Sequence, residues 1–126
     1  MWEAALYANH YQLNHLVAIV DHNKMQSLDF CENTLKLSPF ADKWKSFGWN
    51  VLDIDGHDHD ALRDAFDQAK RSDHPTVIIA NTVKGKGISF MEFDILWHYR
   101  FPSGKVQPWR MQTAGRCRWK SLFLRV

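Results

Sequence analysis

Three short, mainly apolar runs, each followed by polar or glycine residues, are the feature that most constrains this fold. The first, residues 16–20, is continuously apolar, which suits a strand that is covered on both faces. Segments with helical character separate the runs, and alternating helices and strands favour a parallel sheet with right-handed crossovers. The predicted strands cover residues 16–20, 49–54 and 76–80. We therefore predict an α/β fold built on a parallel sheet.

Helix signals occupy the intervals beside these runs. Residues 2–13 contain good helix formers and neither Gly nor Pro. The Ser-Pro pair at residues 38–39 is predicted to cap and open a second helix, which should stop at Gly48. Asp58 is the predicted N-cap of a third helix over residues 60–70.

Length and composition restrict the class of protein. The 126 residues suffice for one domain with one core. An apolar share of 45% with 24% charged residues is typical of a soluble globular chain. No apolar run approaches the roughly 20 residues of a membrane span, and no secretory leader is expected. Cys31 and Cys117 form no C-x-x-C pair, so a reducing, cytoplasmic compartment is predicted.

The charge is distributed unevenly along the chain. Residues 1–102 hold all fourteen acids and ten Lys or Arg, whereas residues 103–126 hold six Lys or Arg and no acid. A basic segment can bind nucleic acid or a membrane surface. No helical or strand period is sustained across residues 104–126, which favours a loosely ordered or non-native tail. Neither nucleic acid nor a membrane is therefore expected as a partner.

Polar side chains follow the first predicted strand directly. Asp21 and Asn23 carry oxygen atoms that suit Mg²⁺ or Ca²⁺, and Mg²⁺ commonly binds through a few protein oxygens plus substrate phosphates. An Asx-turn that ends the strand explains the same residues from local chemistry alone. Because the carboxyl ends of parallel strands share one edge of a sheet, a ligand site is expected there.

Three further segments allow both a functional and a structural interpretation. The lysines and glycines of "KGKG" at residues 84–87 can cradle an anion, although a solvated loop explains them equally well. The stretch "DGHDHD" at residues 55–60 resembles a metal site, but a helix cap and a polar first turn account for it. His98 lies among aromatic residues in "LWHYRFP", where packed histidines are common.

Four blocks of sequence occur in order: "WEAALYANHYQLNHLVAIVDHNKMQS", "ADKWKSFGWNVLDIDGHD", "HPTVIIANTVKGKGISFME" and "WHYRFPS". Together they resemble transketolase, in its N-terminal half that binds thiamine diphosphate. The short type, whose two halves are separate polypeptides, is the most similar. The resemblance covers residues 1–103 and implies the three-layer α/β fold of that cofactor-binding domain.

The resemblance implies a metal and cofactor site just after the first strand. Asn23 matches an asparagine that binds Mg²⁺ in the family, and Met25 matches the residue whose backbone carbonyl does so. Asp21 is implied to support these ligands, and Gln26 to contact the cofactor. The implied cofactors are thiamine diphosphate and Mg²⁺, with Ca²⁺ as a substitute.

The resemblance also implies roles for residues outside that loop. His98 matches a catalytic histidine beside the cofactor, Lys84 lies in a loop near it, and Glu3 matches an acidic network between the two active sites of a dimer. The implied reaction is transfer of a two-carbon ketol group between sugar phosphates, as in the pentose phosphate pathway of carbohydrate metabolism. The implied partner is a pyrimidine-binding, C-terminal subunit in a homo- or hetero-oligomer.

The sequence departs from the family pattern at one essential motif. No Gly-Asp-Gly occurs, so the aspartate that anchors Mg²⁺ in the family has no counterpart. The fold is accordingly expected to be truncated before "WEAA", and the isolated chain to be inactive. Two alternatives stay open: a catalytically inactive fragment or interaction module, and another thiamine diphosphate enzyme such as a deoxyxylulose phosphate synthase.

Overall fold

The structure is a computed structural model that describes residues 1–100 of the chain. Within that range, helices and strands alternate as the sequence pattern predicts. The elements in chain order are α1 (Trp2–His10), β1 (Val17–His22), α2 (Cys31–Thr34), α3 (Phe40–Ser46), β2 (Asn50–Asp55), α4 (His59–Ala69), β3 (Thr76–Asn81) and a 3₁₀ helix (Ile95–His98). The boundary predicted at residue 103 and the basic tail lie outside the described residues.

The three strands form one parallel sheet in the order β1-β3-β2. Thr76 at the start of β3 lies opposite both Val17 of β1 and Asn50 of β2. This register continues to the last residue of each strand, so all three carboxyl ends meet at one edge. The most apolar strand, β3, takes the centre, where Val77 and Ile78 are wholly buried.

Helices cover both faces of this sheet. Successive side chains of a strand point to opposite faces, so Val77 and Ile79 of β3 face one way and Ile78 the other. Helix α4 packs on β2, and its Ala65 and Ala69 are buried outside the larger core cluster. The larger cluster joins α1 and α3 to the sheet through Ala5, Ala8, Phe40, Trp44, Trp49, Val77 and Ile79. The predicted three-layer α/β architecture is therefore confirmed.

The ends of the elements differ from the sequence prediction for local reasons. Helix α1 stops at His10 because Gln12 adopts the left-handed conformation, with φ of 53°. The Leu13 N–H then donates to the Ala8 carbonyl at 2.9 Å, as in a Schellman stop. Glycine or asparagine is the usual residue at such a stop, so the glutamine at this position gave no sequence signal for the end of the helix. All three strands also end one or two residues later than predicted, and β1 and β2 begin one residue later.

The predicted cap at Ser38 is wrong. Pro39 occupies the N-cap position of α3 and makes no side-chain hydrogen bond there. The Ser38 hydroxyl instead donates to the Glu32 carboxylate at 2.8 Å, across the turn that α2 introduces. The serine therefore ties two loop segments together, which its local sequence does not indicate.

Replacing Asp58 by alanine should lower the free energy of unfolding by about 1 kcal/mol. Asp58 is the N-cap of α4, and its Oδ1 accepts hydrogen bonds from the Asp60 and Ala61 N–H groups at 2.9 and 3.2 Å. Urea denaturation followed by circular dichroism measures the change. Asp58→Asn keeps an acceptor oxygen and should be close to wild type; equal losses in both variants would contradict a capping role.

Candidate functional site

The carboxyl edge of the sheet is held together by polar side chains from neighbouring strands. The Thr82 hydroxyl, just after β3, donates to the Asp21 carboxylate of β1. On the other side, the Asn81 amide donates to the Asp53 carboxylate and to the Ile54 carbonyl of β2. The end of the central strand is thus hydrogen-bonded to both neighbours. Asp21 acts in this framework, at the edge where a ligand site is expected.

The turn after β1 contains Asn23, Lys24 and Met25. Asn23 Oδ1 accepts a hydrogen bond from the Met25 N–H at 3.0 Å, which is the Asx-turn geometry that the sequence allowed. Lys24 between them has a φ of 67°, the left-handed conformation that residues other than glycine rarely adopt. Such strained residues cluster at binding and active sites, so this turn is a candidate for one.

The oxygen atoms of this turn are suited to a divalent cation, of the kind that also binds phosphate groups. Among residues 1–100, no N–H or O–H donates to the Met25 carbonyl, and one lone pair of Asn23 Oδ1 is left after its bond to Met25. Amide and carbonyl oxygens are hard ligands of the kind that Mg²⁺ and Ca²⁺ prefer. The described part of the chain brings no three His, Cys, Asp or Glu side chains together as a metal site. The chain therefore offers a partial set of ligands.

Gln26 and Glu3 lie in different surroundings from each other. The Gln26 N–H donates to the Asp29 carbonyl at 2.8 Å, which closes the turn that pairs Met25 with Phe30. Glu3 lies on α1, and its side chain is 94% exposed. It belongs to none of the strand ends and loops that form the carboxyl edge. A hydrogen bond from its own backbone N–H and the nearby N-terminal ammonium lower the pKa of Glu3. Glu3 is therefore ionised and available at the surface.

The loop after β3 brings Lys84 to His98. The Lys84 Nζ lies 3.3 Å from His98 Nδ1. Because an ammonium group only donates, Nδ1 must be the acceptor and the ring proton must sit on Nε2. Gly85 and Gly87 allow the intervening turns with φ values of 78° and 91°. The structure thus joins two residues, fourteen positions apart, that were predicted separately.

His57 is a residue of this edge that the sequence interpretation missed. It was assigned to a polar first turn of α4, but its Nε2 accepts a hydrogen bond from the Val83 N–H at 2.7 Å. The contact links the turn after β2 to the loop after β3. No local pattern could have indicated it, because the two residues are 26 positions apart in sequence.

Two clefts open along the same edge. One, of about 520 Å³, lies between the β1 turn and the β3 loop and is lined by His57 and the cations Lys24 and Lys86. The other, of about 270 Å³, lies between the strand ends and α3 and is lined by His22 and Lys24. Within residues 1–100, His22 Nδ1 and Trp44 Nε1 are the buried side-chain atoms without a hydrogen-bond partner. Lys24 and Lys86 give the larger cleft two cations against the single carboxylate of Asp55, which favours an anionic ligand.

The fold and this edge define an α/β domain of the class whose ligand sites lie at the carboxyl ends of the parallel strands. Residues 1–94 match the family model of the transketolase, thiamine diphosphate binding domain. The chain therefore belongs to the transketolase family, and the matched part is its cofactor-binding domain.

Relatives with known names support this membership. The chain is 46% identical over 99 residues to the 6-deoxy-6-sulfo-D-fructose transketolase subunit of Clostridium sp. (strain MSTE9), covering 78% of this chain and 36% of that protein. It is 41% identical over 103 residues to an apulose-4-phosphate transketolase subunit of Actinobacillus succinogenes, covering 82% and 37%. Human transketolase is 39% identical over 98 residues, covering 78% and 15%. The chain thus spans little more than a third of the two subunits.

Solved structures agree with the fold. Transketolase from Campylobacter jejuni aligns with a TM-score of 0.72 at 28% identity, covering 75% of this chain and 15% of that one. A transketolase variant from Pichia stipitis in complex with fructose 6-phosphate aligns with a TM-score of 0.65 at 30% identity, covering 71% and 14%.

In residues 1–100 of this chain, every helix is too short or too polar to traverse a bilayer.

Proposed function

We propose that this chain contributes the diphosphate-binding side of a transketolase active site that uses thiamine diphosphate and Mg²⁺. The observation that carries the proposal is the strained turn at Asn23, Lys24 and Met25. Lys24 of that turn lines one cleft together with Val83 and Lys86 of the loop after β3. The turn therefore contributes the cation Lys24 to one side of the cleft, and the β3 loop contributes Lys86 to the other.

The chain's own groups would bind a magnesium diphosphate as follows. Asn23 Oδ1 and the Met25 carbonyl would coordinate the metal, and the diphosphate would supply further oxygen ligands. Asp21 would hold the edge rigid through its bond with Thr82 and would not touch the metal. Gln26 and Lys84 are proposed to contact the cofactor. Ca²⁺ prefers the same hard oxygen ligands, so it should substitute for Mg²⁺.

His98 is the proposed catalytic residue of this chain. Thiamine diphosphate, when bound, would supply the carbanion chemistry that moves a two-carbon ketol group. With the Lys84 ammonium group at Nδ1, the neutral ring carries its hydrogen on Nε2, and that nitrogen would donate a hydrogen bond to a sugar oxygen and stabilise negative charge that develops there. Lys84 thereby fixes which ring nitrogen is the donor.

The proposed substrates are sugar phosphates, and the proposed partner is a pyrimidine-binding, C-terminal transketolase subunit. Two of the similar proteins are named as transketolase subunits, which supports an assembly of this kind. These names also favour transketolase over a deoxyxylulose phosphate synthase. We propose a homo- or hetero-oligomer in the cytoplasm, joined in part through Glu3 of α1, with activity only in the assembly.

A second candidate is an interaction module of this fold without catalysis. The outer surface of α1 supports it, because Leu6, Tyr7 and Tyr11 are each more than half exposed there. Tyr7 and Tyr11 also stack, with ring centroids 4.3 Å apart. Aromatic residues of this kind are enriched at protein interfaces.

Asn23→Ala should remove the Mg²⁺-dependent part of thiamine diphosphate binding. The substitution deletes one of the two proposed metal ligands, and the expected loss in affinity is at least tenfold, about 1.4 kcal/mol. Isothermal titration calorimetry of the full chain with thiamine diphosphate, with and without Mg²⁺, measures it. Asn33→Ala is the matched control, because Asn33 lies on the neighbouring α2 and, within residues 1–100, its side chain bonds only to Asp29.

The outcomes separate the two candidate functions. Binding that needs Mg²⁺ and is lost in Asn23→Ala but kept in Asn33→Ala supports the cofactor site. Addition of a pyrimidine-binding subunit should then give ketol transfer. A folded wild-type chain that binds no thiamine diphosphate, with or without Mg²⁺, would overturn the cofactor role and leave the interaction module.

A further inference from the structure

The turn after β2 lies directly against the end of β3. The Gly56 N–H donates to the Asn81 carbonyl at 2.8 Å, which continues the sheet hydrogen bonds past Asp55. A Cβ atom on Gly56 would lie 2.5 Å from Thr82 Cγ2 and 3.0 Å from Ala80 Cβ. The turn therefore fits against this strand end only because residue 56 has no side chain, and the residue after it is brought within reach of the β3 loop.

His57, the residue after Gly56, makes a second hydrogen bond between this turn and the residues that follow β3. Its own N–H donates to the Asp55 carboxylate at 2.8 Å, which closes the turn, and its Nε2 accepts from the Val83 N–H at 2.7 Å. The Val83 N–H has a fixed proton, so Nε2 must be the unprotonated nitrogen and Nδ1 must carry the hydrogen. The bond thus selects one imidazole tautomer.

Val83 begins the loop that carries Lys84. Beyond Val83, the loop's own bonds include one from the Lys86 N–H to the Val83 carbonyl at 3.1 Å and one from the Phe93 N–H to the Lys84 carbonyl at 3.2 Å. These bonds shape the loop internally, whereas the His57 bond fixes its orientation relative to the sheet. A rotation about Val83 would move Lys84 away from His98.

We propose that His57 is a positioning residue: it holds the start of the β3 loop so that Lys84 reaches His98 Nδ1. The side chain acts through the backbone of Val83 and does not touch the reacting atoms. Its value for catalysis rests on the proposed function of His98. The positioning itself concerns only contacts within residues 55–98 and is present without cofactor.

A pair of substitutions at His57 separates positioning from general loss of structure. In His57→Gln, the side-chain amide oxygen reaches about as far as Nε2 and can accept the Val83 N–H. In His57→Asn, the side chain is one carbon shorter and cannot reach it. The full-length chain is compared by backbone amide exchange at Val83 and by the ¹⁵N resonances of the His98 ring. Amides of Val77 and Ile79 in β3 serve as the internal control for folding.

His57→Asn should raise the exchange rate of the Val83 amide about tenfold, the effect of losing one hydrogen bond, and should shift the His98 Nδ1 resonance. His57→Gln should restore both values, and exchange at Val77 and Ile79 should be the same in all three proteins. Unchanged Val83 exchange and an unchanged His98 resonance in His57→Asn would overturn the proposal. So would equal changes in both variants.

The same proteins are titrated with magnesium and thiamine diphosphate. If wild type binds and His57→Asn binds more weakly while His57→Gln does not, positioning and cofactor role are both supported. If wild type binds no cofactor but Val83 exchange follows the expected pattern, the positioning role holds and the proposed function fails. If cofactor binds equally well to all three and Val83 exchange does not change, the cofactor role holds and the positioning role fails.

Discussion

Replacing Trp49 by alanine is expected to lower the free energy of unfolding by about 3–5 kcal/mol, the range for deleting a buried aromatic side chain. Trp49 is 6% exposed and lies in the cluster that joins α1, α3 and the sheet. Its ring packs edge-on against Trp44, with centroids 4.9 Å apart. Its Nε1 also donates to the Ala5 carbonyl at 2.9 Å, so one side chain holds α1 against the start of β2.

Trp49→Phe separates the two contributions of this side chain. Phenylalanine keeps most of the apolar contact with Trp44 but has no donor for the Ala5 carbonyl. Its expected cost is smaller than that of alanine, since a hydrogen bond contributes about 0.5–1.5 kcal/mol net and a smaller ring leaves a limited cavity. Chemical denaturation followed by circular dichroism measures both. A loss below about 1 kcal/mol in Trp49→Ala would show that α1 is not held to the sheet in this way.

Gly85→Ala should disrupt the loop that brings Lys84 to His98. Gly85 has a φ of 78°, and an L-residue loses about 1–2 kcal/mol in the left-handed conformation. A Cβ there would also lie 2.5 Å from the Met91 carbonyl oxygen and 2.6 Å from its carbon, so backbone must move. Overpacking of this kind typically costs about 1–3 kcal/mol more. The ring resonances of His98 should change, and cofactor binding, if present, should weaken.

Gly87→Ala is the control for this substitution. Gly87 has a similar φ of 91°, but a Cβ there would meet nothing within 4 Å. It should therefore show only the backbone cost of about 1–2 kcal/mol and leave the His98 resonances close to wild type. Thermal melts give the stability of both variants, and ¹⁵N spectra give the state of the ring. Equal spectral changes in the two variants would mean that contact with Met91 does not shape the loop.

The sequence predicted the parts of the fold that depend on local chemistry. The mainly apolar runs identified all three strands, and most clearly the central β3, because a buried strand needs side chains that tolerate burial on both faces. Asp58 was recognised as a cap because a carboxylate next to free N–H groups satisfies them whatever the rest of the fold does. The stop at Gln12 was missed because glycine or asparagine is the usual residue there. The contact of Ser38 with Glu32 was missed because the local sequence indicates a helix cap, which the structure does not form.

For the candidate site, the sequence predicted which residues take part better than it predicted the hydrogen bonds between them. Asn23, Lys84 and His98 were singled out by residue type and position, and the resemblance to transketolases implied their roles, which stay predictions. The Asx-turn at Asn23 could be anticipated because its bond to the Met25 N–H spans only two residues. The hydrogen bond from Thr82 to Asp21, which are 61 positions apart, could not be anticipated, because neither local sequence carries a signal for a contact with the other.

By itself, the sequence determined the fold class and the order of the strands and of the helices other than α2, because these follow from periodicity and residue type along the chain. The four blocks of sequence carried the family resemblance. Only the tertiary structure decided that β3 lies between β1 and β2, that His57 accepts from Val83, and that Lys84 reaches His98. The reason is physical. Local patterns constrain neighbours within a turn or a strand, whereas contacts between distant residues arise only when packing of the helices on both faces fixes where each strand ends.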